Sequence, residues 1–98
     1  MSEAYTMPNN VASPVGVAAS TSAVTLAAAN NARRRVIIYN DASADLLLKY
    51  GAGASASSFT ERVKSKAVWY MELPPFTGLI SGIWESSPTG SAMVTDIA

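Results

Sequence analysis

The segment Arg34-Arg-Val-Ile-Ile-Tyr-Asn-Asp-Ala-Ser-Ala-Asp-Leu-Leu-Leu-Lys-Tyr-Gly51 decides the fold. It holds two apolar runs on either side of a polar turn, the pattern of two short strands. Because side chains alternate along a strand, Val36 and Ile38 point to one face and Ile37 and Tyr39 to the other. Both faces of this strand are therefore apolar, and no register hides all of these side chains against one layer.

Similar short apolar runs occur along the rest of the chain, separated by Gly, Pro, Ser and Asn. Pro74-Pro75 ends one of them, since proline cannot donate to a β-ladder. No long segment has a helical period of apolar residues, which disfavours βαβ units. With about eight short strands, the sequence predicts an all-β domain, an antiparallel β-sandwich or jelly-roll-like barrel. The predicted strands are 15–19, 23–27, 34–40, 45–50, 59–64, 67–73, 79–84 and 91–97.

The length of 98 residues allows one domain. Residues 1–13 are rich in Asn, Pro and Ser and lack an apolar period, so we interpret them as an extended N-terminal arm preceding a single sandwich domain at 14–98. This arm is either a disordered terminus or a segment that orders on a neighbouring subunit. The first residues lack the basic start and apolar core of a signal peptide, which predicts assembly in a cytoplasm.

The composition is 49% hydrophobic and only 14% charged, whereas about 25% of residues are charged in typical proteins. Seven basic residues balance seven acidic ones. With zero net charge, no field steers the chain onto nucleic acid or anionic lipid. No apolar run is long enough for a membrane span. We therefore expect neither nucleic acid nor a membrane as a partner.

The sequence holds few of the residue types that enzymes commonly use for catalysis. Cysteine and histidine are absent, which removes the usual metal ligands, thiol nucleophiles and general bases. Two carboxylate pairs could act together, Asp41 with Asp45 and Glu61 with Glu72, but neither lies in a recognisable motif. We predict that the chain is not an enzyme and that it uses no cofactor, metal or small-molecule substrate.

The turn Asn40-Asp-Ala-Ser-Ala-Asp45 places oxygen ligands at alternate positions, as calcium loops do. It lacks the glycine at the sharp turn and the distal glutamate of an EF-hand loop. The favoured interpretation is a hairpin turn whose Asn and Asp side chains accept hydrogen bonds from nearby backbone amides.

Two other groups of side chains could bind a ligand. Arg33, Arg34 and Arg35 form a basic cluster, which fits a salt bridge to a partner or protection of a sheet edge better than nucleic-acid binding. The aromatic side chains could form a sugar-binding platform, although aromatics in a small β domain are more often core or interface anchors. They are Trp69, Tyr70, Phe76 and Trp84.

Apolar side chains on both faces of several strands indicate a contact surface, because one set fills the core and the other stays exposed. The alternative is that bulges and loops of the chain cover the second set. The predicted subunit or capsid contacts are Tyr39, Leu47, Tyr70 and Trp84, together with Arg33, Arg34 and Arg35. If the faces are reversed, the apolar contacts become Leu48, Trp69, Ile83 and Ile38.

The sequence also resembles small virion proteins of tailed bacteriophages over residues 24–97. The resemblance is carried by Ala23-Val-Thr-Leu26, by the Arg-rich entry into Ile-Tyr-Asn-Asp at 34–41 and by the Leu-rich strand at 46–51. A late Ser81-Gly-Ile-Trp84 leads through Thr89-Gly90 into the ending at 91–95. These motifs are structural and carry no chemistry.

The resemblance implies a capsid cement or decoration protein located on the capsid surface of the virion. Such a protein works as a homotrimer and clamps neighbouring subunits of the major capsid protein. A head–tail connector or tail component remains an alternative, and so does a glycan-binding module of a phage fibre.

Overall fold

The computed structural model describes residues 13–98, so nearly all of the predicted N-terminal arm lies outside the described residues. The described part contains eight strands and no helix, and each predicted strand is present, with β5 and β6 shorter than predicted. The strands are β1 Val15–Ala18, β2 Val24–Ala27, β3 Arg35–Ala42, β4 Leu46–Tyr50, β5 Glu61–Val63, β6 Val68–Tyr70, β7 Ile80–Trp84 and β8 Gly90–Ile97.

The strands form two four-stranded antiparallel sheets that pack together as a β-sandwich, which confirms the predicted fold class. Sheet A has the order β1-β8-β3-β6, and sheet B has the order β2-β7-β4-β5. Among strands that follow one another in the chain, β4 and β5 form the one pair that is hydrogen-bonded. All other pairings join strands that are distant in sequence.

One sequence interpretation is corrected by this topology. Strands β3 and β4, on either side of the turn at 43–45, were predicted as a hairpin, but they do not pair with each other. Strand β3 lies between β8 and β6 in sheet A, and β4 lies between β7 and β5 in sheet B. The turn therefore takes the chain from sheet A to sheet B. The inward apolar faces of β3 and β4 then line the same core from opposite sides.

The core lies between the two sheets and follows from side-chain alternation. Val36 and Ile38 of β3 are fully buried, as are Leu46 and Leu48 of β4. All four belong to one hydrophobic cluster with Trp84 of β7. The outward neighbours of these residues form the two outer faces of the sandwich, where a contact surface has to be sought.

Candidate interaction surface

The outer face of sheet A presents a continuous apolar surface. In the strand register, Ile37 lies opposite Tyr70, and Tyr39 lies opposite both Val68 and Met93. Val68 is 47% exposed and Tyr70 is 59% exposed, whereas the other three are half-buried. We call these five residues the sheet A face. Val68 and Tyr70 are therefore the members of this face that the described residues leave most accessible.

The outer face of sheet B, in contrast, is partly covered by the chain itself. Leu47 alternates outward from the core residues Leu46 and Leu48, yet it is only 2% exposed. The loop at 51–60 is held on this face at Ser81: the Ala54 amide donates to Ser81 Oγ at 3.1 Å, and the Ser81 hydroxyl donates to the Gly51 carbonyl. The two outer faces thus differ: a loop partly covers one, and the other carries two exposed apolar side chains.

Of the four predicted apolar contact residues, the structure places two on an outer face and buries two. Tyr39 and Tyr70 lie on the sheet A face. Leu47 and Trp84 are each 2% exposed, and Trp84 belongs to the core cluster. The assignment of Leu47 and Trp84 to an exposed contact is therefore corrected. Trp84 points inward because the register of β7 sets it opposite the inward-facing Leu46.

In the alternative set of contact residues, two side chains are fully buried and two are half-buried. Ile38 and Leu48 are fully buried in the core, and Trp69 is half-buried against it. Ile83 lies opposite Leu47 on the outer face of sheet B and is half-buried. The structure therefore favours neither set as a whole.

The three arginines of the basic cluster differ in burial. Arg33 is 3% exposed, and its guanidinium binds Asp96 through Nε and Nη2, both at 3.0 Å. The other N–H groups donate to the carbonyl oxygens of Phe76, Gly78 and Ala28 at 2.7–2.8 Å. This corrects the prediction for Arg33, since a side chain with its donors engaged inside the fold is not offered to a partner.

Arg34 and Arg35 lie nearer the surface at the start of β3, Arg34 exposed and Arg35 half-buried. The sequence could not distinguish the buried Arg33 from Arg34 and Arg35, because the carboxylate that binds Arg33 belongs to Asp96, 63 positions away.

The residues that sequence reasoning missed are Ile37, Val68 and Met93. Ile37 and Val68 follow from alternation, since each is two positions from a tyrosine that was predicted as a contact. Met93 could not be found in this way, because its place beside Tyr39 depends on the pairing of β8 with β3.

A second feature is a cleft of about 270 Å³ at the edge of the sandwich formed by β5 and β6. Glu61 and Glu72, one of the carboxylate pairs considered from the sequence, both line it. Burial raises the pKa of the Tyr50 hydroxyl, and the negative charges of these two carboxylates raise it further. We call this feature the acidic cleft. Its lining residues are Tyr50, Thr60, Glu61, Trp69, Glu72, Leu73 and Pro74.

The aromatic platform that the sequence left as an alternative is not assembled. Trp69 and Phe76 both pack on Tyr50, at centroid distances of 6.2 and 4.6 Å. Trp84 lies in the core, and Tyr70 points outward on the sheet A face. The four aromatic residues therefore do not share one surface.

The oxygen-rich turn binds backbone amides. Asn40 Oδ1 accepts a hydrogen bond from the Ala42 amide at 3.3 Å, and Asp45 Oδ1 accepts one from the Ser65 amide at 3.0 Å. The bond from Ser65 is the main reason why the pKa of Asp45 lies below its usual value. Among the residues that the structure describes, no group of three or more acidic, His or Cys side chains could hold a metal ion.

No family model, curated protein or solved structure matches this chain. Residues 13–98 contain no helix that could cross a membrane. The interaction surface must therefore be interpreted from its own geometry.

Proposed function

We propose that this protein is a virion structural protein that works by binding, as a capsid cement or decoration protein on the outer surface of a phage head. The observation that carries the proposal is the difference between the two outer faces of the sandwich. The loop at 51–60 partly covers one of them at Ser81, whereas the sheet A face leaves the apolar side chains of Val68 and Tyr70 exposed. An open apolar face of this kind is typical of a contact surface.

The partners in this proposal are the major capsid protein and further copies of the chain. The resemblance to small virion proteins supports both, and the homotrimer that it implies remains a prediction. Individual contacts can be weak, because many copies act on one shell and multivalency supplies the remaining affinity. The low charge of the chain fits a protein whose surface is largely occupied by neighbours.

A binding role also fits the hydrogen bonding of the buried polar side chains, which is directed to other parts of the fold. The buried polar residues are Arg33, Asn40 and Ser81, and each makes hydrogen bonds that hold the fold together. No buried side-chain nitrogen or oxygen of the described residues lacks a partner. Such groups stabilise the scaffold, and we propose no catalytic role for them.

The proposal is tested by adding the purified protein to pre-formed, expanded capsids of the phage that encodes it. We expect saturable binding at a copy number set by the shell lattice, together with a higher capsid melting temperature. Tyr39→Glu on the sheet A face should abolish binding. Thr25→Glu, exposed on the outer face of sheet B, is the matched control and should bind like the wild type.

Two results would contradict the proposal. Wild-type protein that ignores capsids would remove the cement role. A virion that holds only enough copies for a single ring would favour the head–tail connector or tail component instead, because closed rings contain few subunits.

A further inference from the structure

We propose that the edge formed by β5 and β6 is a two-fold contact between two copies of this chain. In this contact β6 of one copy pairs antiparallel with β6 of the other, and the turn at 64–66 of each copy meets the acidic cleft of its neighbour. The inference deepens the proposed assembly role, on which it rests, by naming the occupant of this edge.

The backbone of β6 is available for such pairing. β6 is the last strand of sheet A, with β3 on one side and no described strand on the other. Toward β3, the Met71 amide donates to the Val36 carbonyl at 3.0 Å, and the Ala67 carbonyl accepts from the Asn40 amide at 2.9 Å. Because hydrogen-bonding directions alternate along a strand, the peptide groups of Val68 and Tyr70 point away from β3. An edge of this kind is a template for another strand.

The side chains of β6 are self-complementary in one register. If the two-fold axis passes beside Trp69, Val68 of each copy lies opposite Tyr70 of the other. Both side chains are outward-facing, 47% and 59% exposed respectively. Pairs of an aromatic and a β-branched side chain are among the favourable cross-strand neighbours. The contact would extend the sheet A face continuously into the second copy.

The charges along this edge select the antiparallel arrangement. Glu61 and Glu72 lie at one end, in the acidic cleft, while Lys64 and Lys66 lie at the other end, in the turn between β5 and β6. An antiparallel two-fold brings each acidic end beside a basic end. A parallel arrangement would bring like charges together, which is unfavourable.

The carboxylates of the cleft have no ion-pair partner among the described residues, although the other four described Asp and Glu side chains each have one. Lys66 does bind Asp41 at 2.7 Å, but both side chains are well exposed, 62% and 49%. Exposed pairs of this kind contribute little to stability and can be exchanged for a new partner. The unpaired acidic cleft therefore fits the basic turn of a second copy.

The first test is the mass of the full-length protein in solution, measured by light scattering and sedimentation over a range of concentrations. Val68→Lys places a charge in the contact and should halve the mass of the particle that the wild type forms, whether a dimer or a pair of trimers. Val15→Lys is the matched control, because Val15 is 61% exposed on β1, the opposite edge of sheet A. A wild type that is monomeric up to its solubility limit overturns the proposal, and so does an unchanged mass for Val68→Lys.

The second test reverses the charges in two separate proteins. Glu61→Lys/Glu72→Lys and Lys64→Glu/Lys66→Glu should each fail to pair alone, while an equimolar mixture of the two should pair again. Circular dichroism of each protein establishes that it is folded. A mixture that stays unpaired, or a single variant that pairs like the wild type, overturns the proposed register.

The outcome is independent of the capsid experiment. Capsid binding without self-pairing would overturn this contact and leave the proposed function standing. Self-pairing in a protein that ignores capsids would support the contact and contradict the proposed function.

Discussion

The indole Nε1–H of Trp84 donates a 2.9 Å hydrogen bond to Asn40 Oδ1 in the middle of the apolar core. The Asn40 amide nitrogen in turn donates to the carbonyls of Val63 and Ala44, at 2.9 and 3.0 Å. Asn40 belongs to sheet A, whereas Trp84 and Val63 belong to sheet B. One fully buried polar side chain thus joins the two sheets and fixes their relative position, since a shifted packing would leave its hydrogen bonds unmade.

Replacing Asn40 by alanine should destabilise the fold strongly, because the Trp84 indole and the carbonyls of Val63 and Ala44 would lose their partner. We expect a loss of about 2–4 kcal/mol in the free energy of unfolding, measured by urea denaturation. Asn31→Ala is the control, since Asn31 lies exposed in a turn and should change stability little. A similar effect for both variants would contradict the role assigned to Asn40.

Arg33 is expected to be irreplaceable even by lysine. Its planar guanidinium holds Asp96 with two nitrogens and three carbonyls with the remaining N–H groups, and one ammonium cannot reproduce this geometry. Arg33→Lys should cost about 2–3 kcal/mol in thermal or chemical unfolding. The same substitution at Arg35, a half-buried residue at the start of β3, should be nearly neutral. Equal losses at the two positions would refute this distinction.

Gly82 should not tolerate a methyl group. A Cβ at this position would lie 2.7 Å from a methyl carbon of Leu26 and 2.8 Å from one of Leu46, both in the core. Gly82→Ala should therefore destabilise the protein by about 1–3 kcal/mol through overpacking. At Gly16, also in a strand, a Cβ would meet only Met93 Sδ at 3.6 Å, an ordinary contact. Gly16→Ala should leave the melting temperature unchanged or slightly higher, and a larger loss there than at Gly82 would contradict the packing argument.

Asp45 should contribute to the acid sensitivity of the fold. The Ser65 amide, followed by Arg62, lowers the pKa of Asp45 below its usual value. A carboxyl with a lowered folded-state pKa contributes stability above its unfolded-state pKa, and this contribution is lost as pH falls through the folded-state value. Asp45→Asn should thus be less stable than the wild type near neutral pH and should lose less stability on acidification below about pH 4. Unfolding curves measured along a pH series test this, and parallel pH profiles for the two proteins would count against it.

The strands and their inward or outward alternation could be predicted from the sequence, because both depend on neighbouring residues. The apolar runs gave all eight strands, and the opposite orientation of Trp69 and Tyr70 followed from adjacency alone. The proline pair at 74–75 was expected to end a strand at Leu73, but β6 already ends at Tyr70. The predicted β3–β4 hairpin was wrong, because a short turn between two strands is compatible with pairing or with crossing between sheets.

The sequence by itself determined the all-β fold class, the lack of a long amphipathic helix and the presence of two apolar sets of side chains. Only the tertiary structure decided which set lies inside and which outer face stays open. Trp84 is buried because β7 pairs with β4, and Arg33 is buried because β8 brings Asp96 to it. Such contacts join residues distant in the chain, so they depend on strand order and register, which local patterns of apolar and polar residues do not specify.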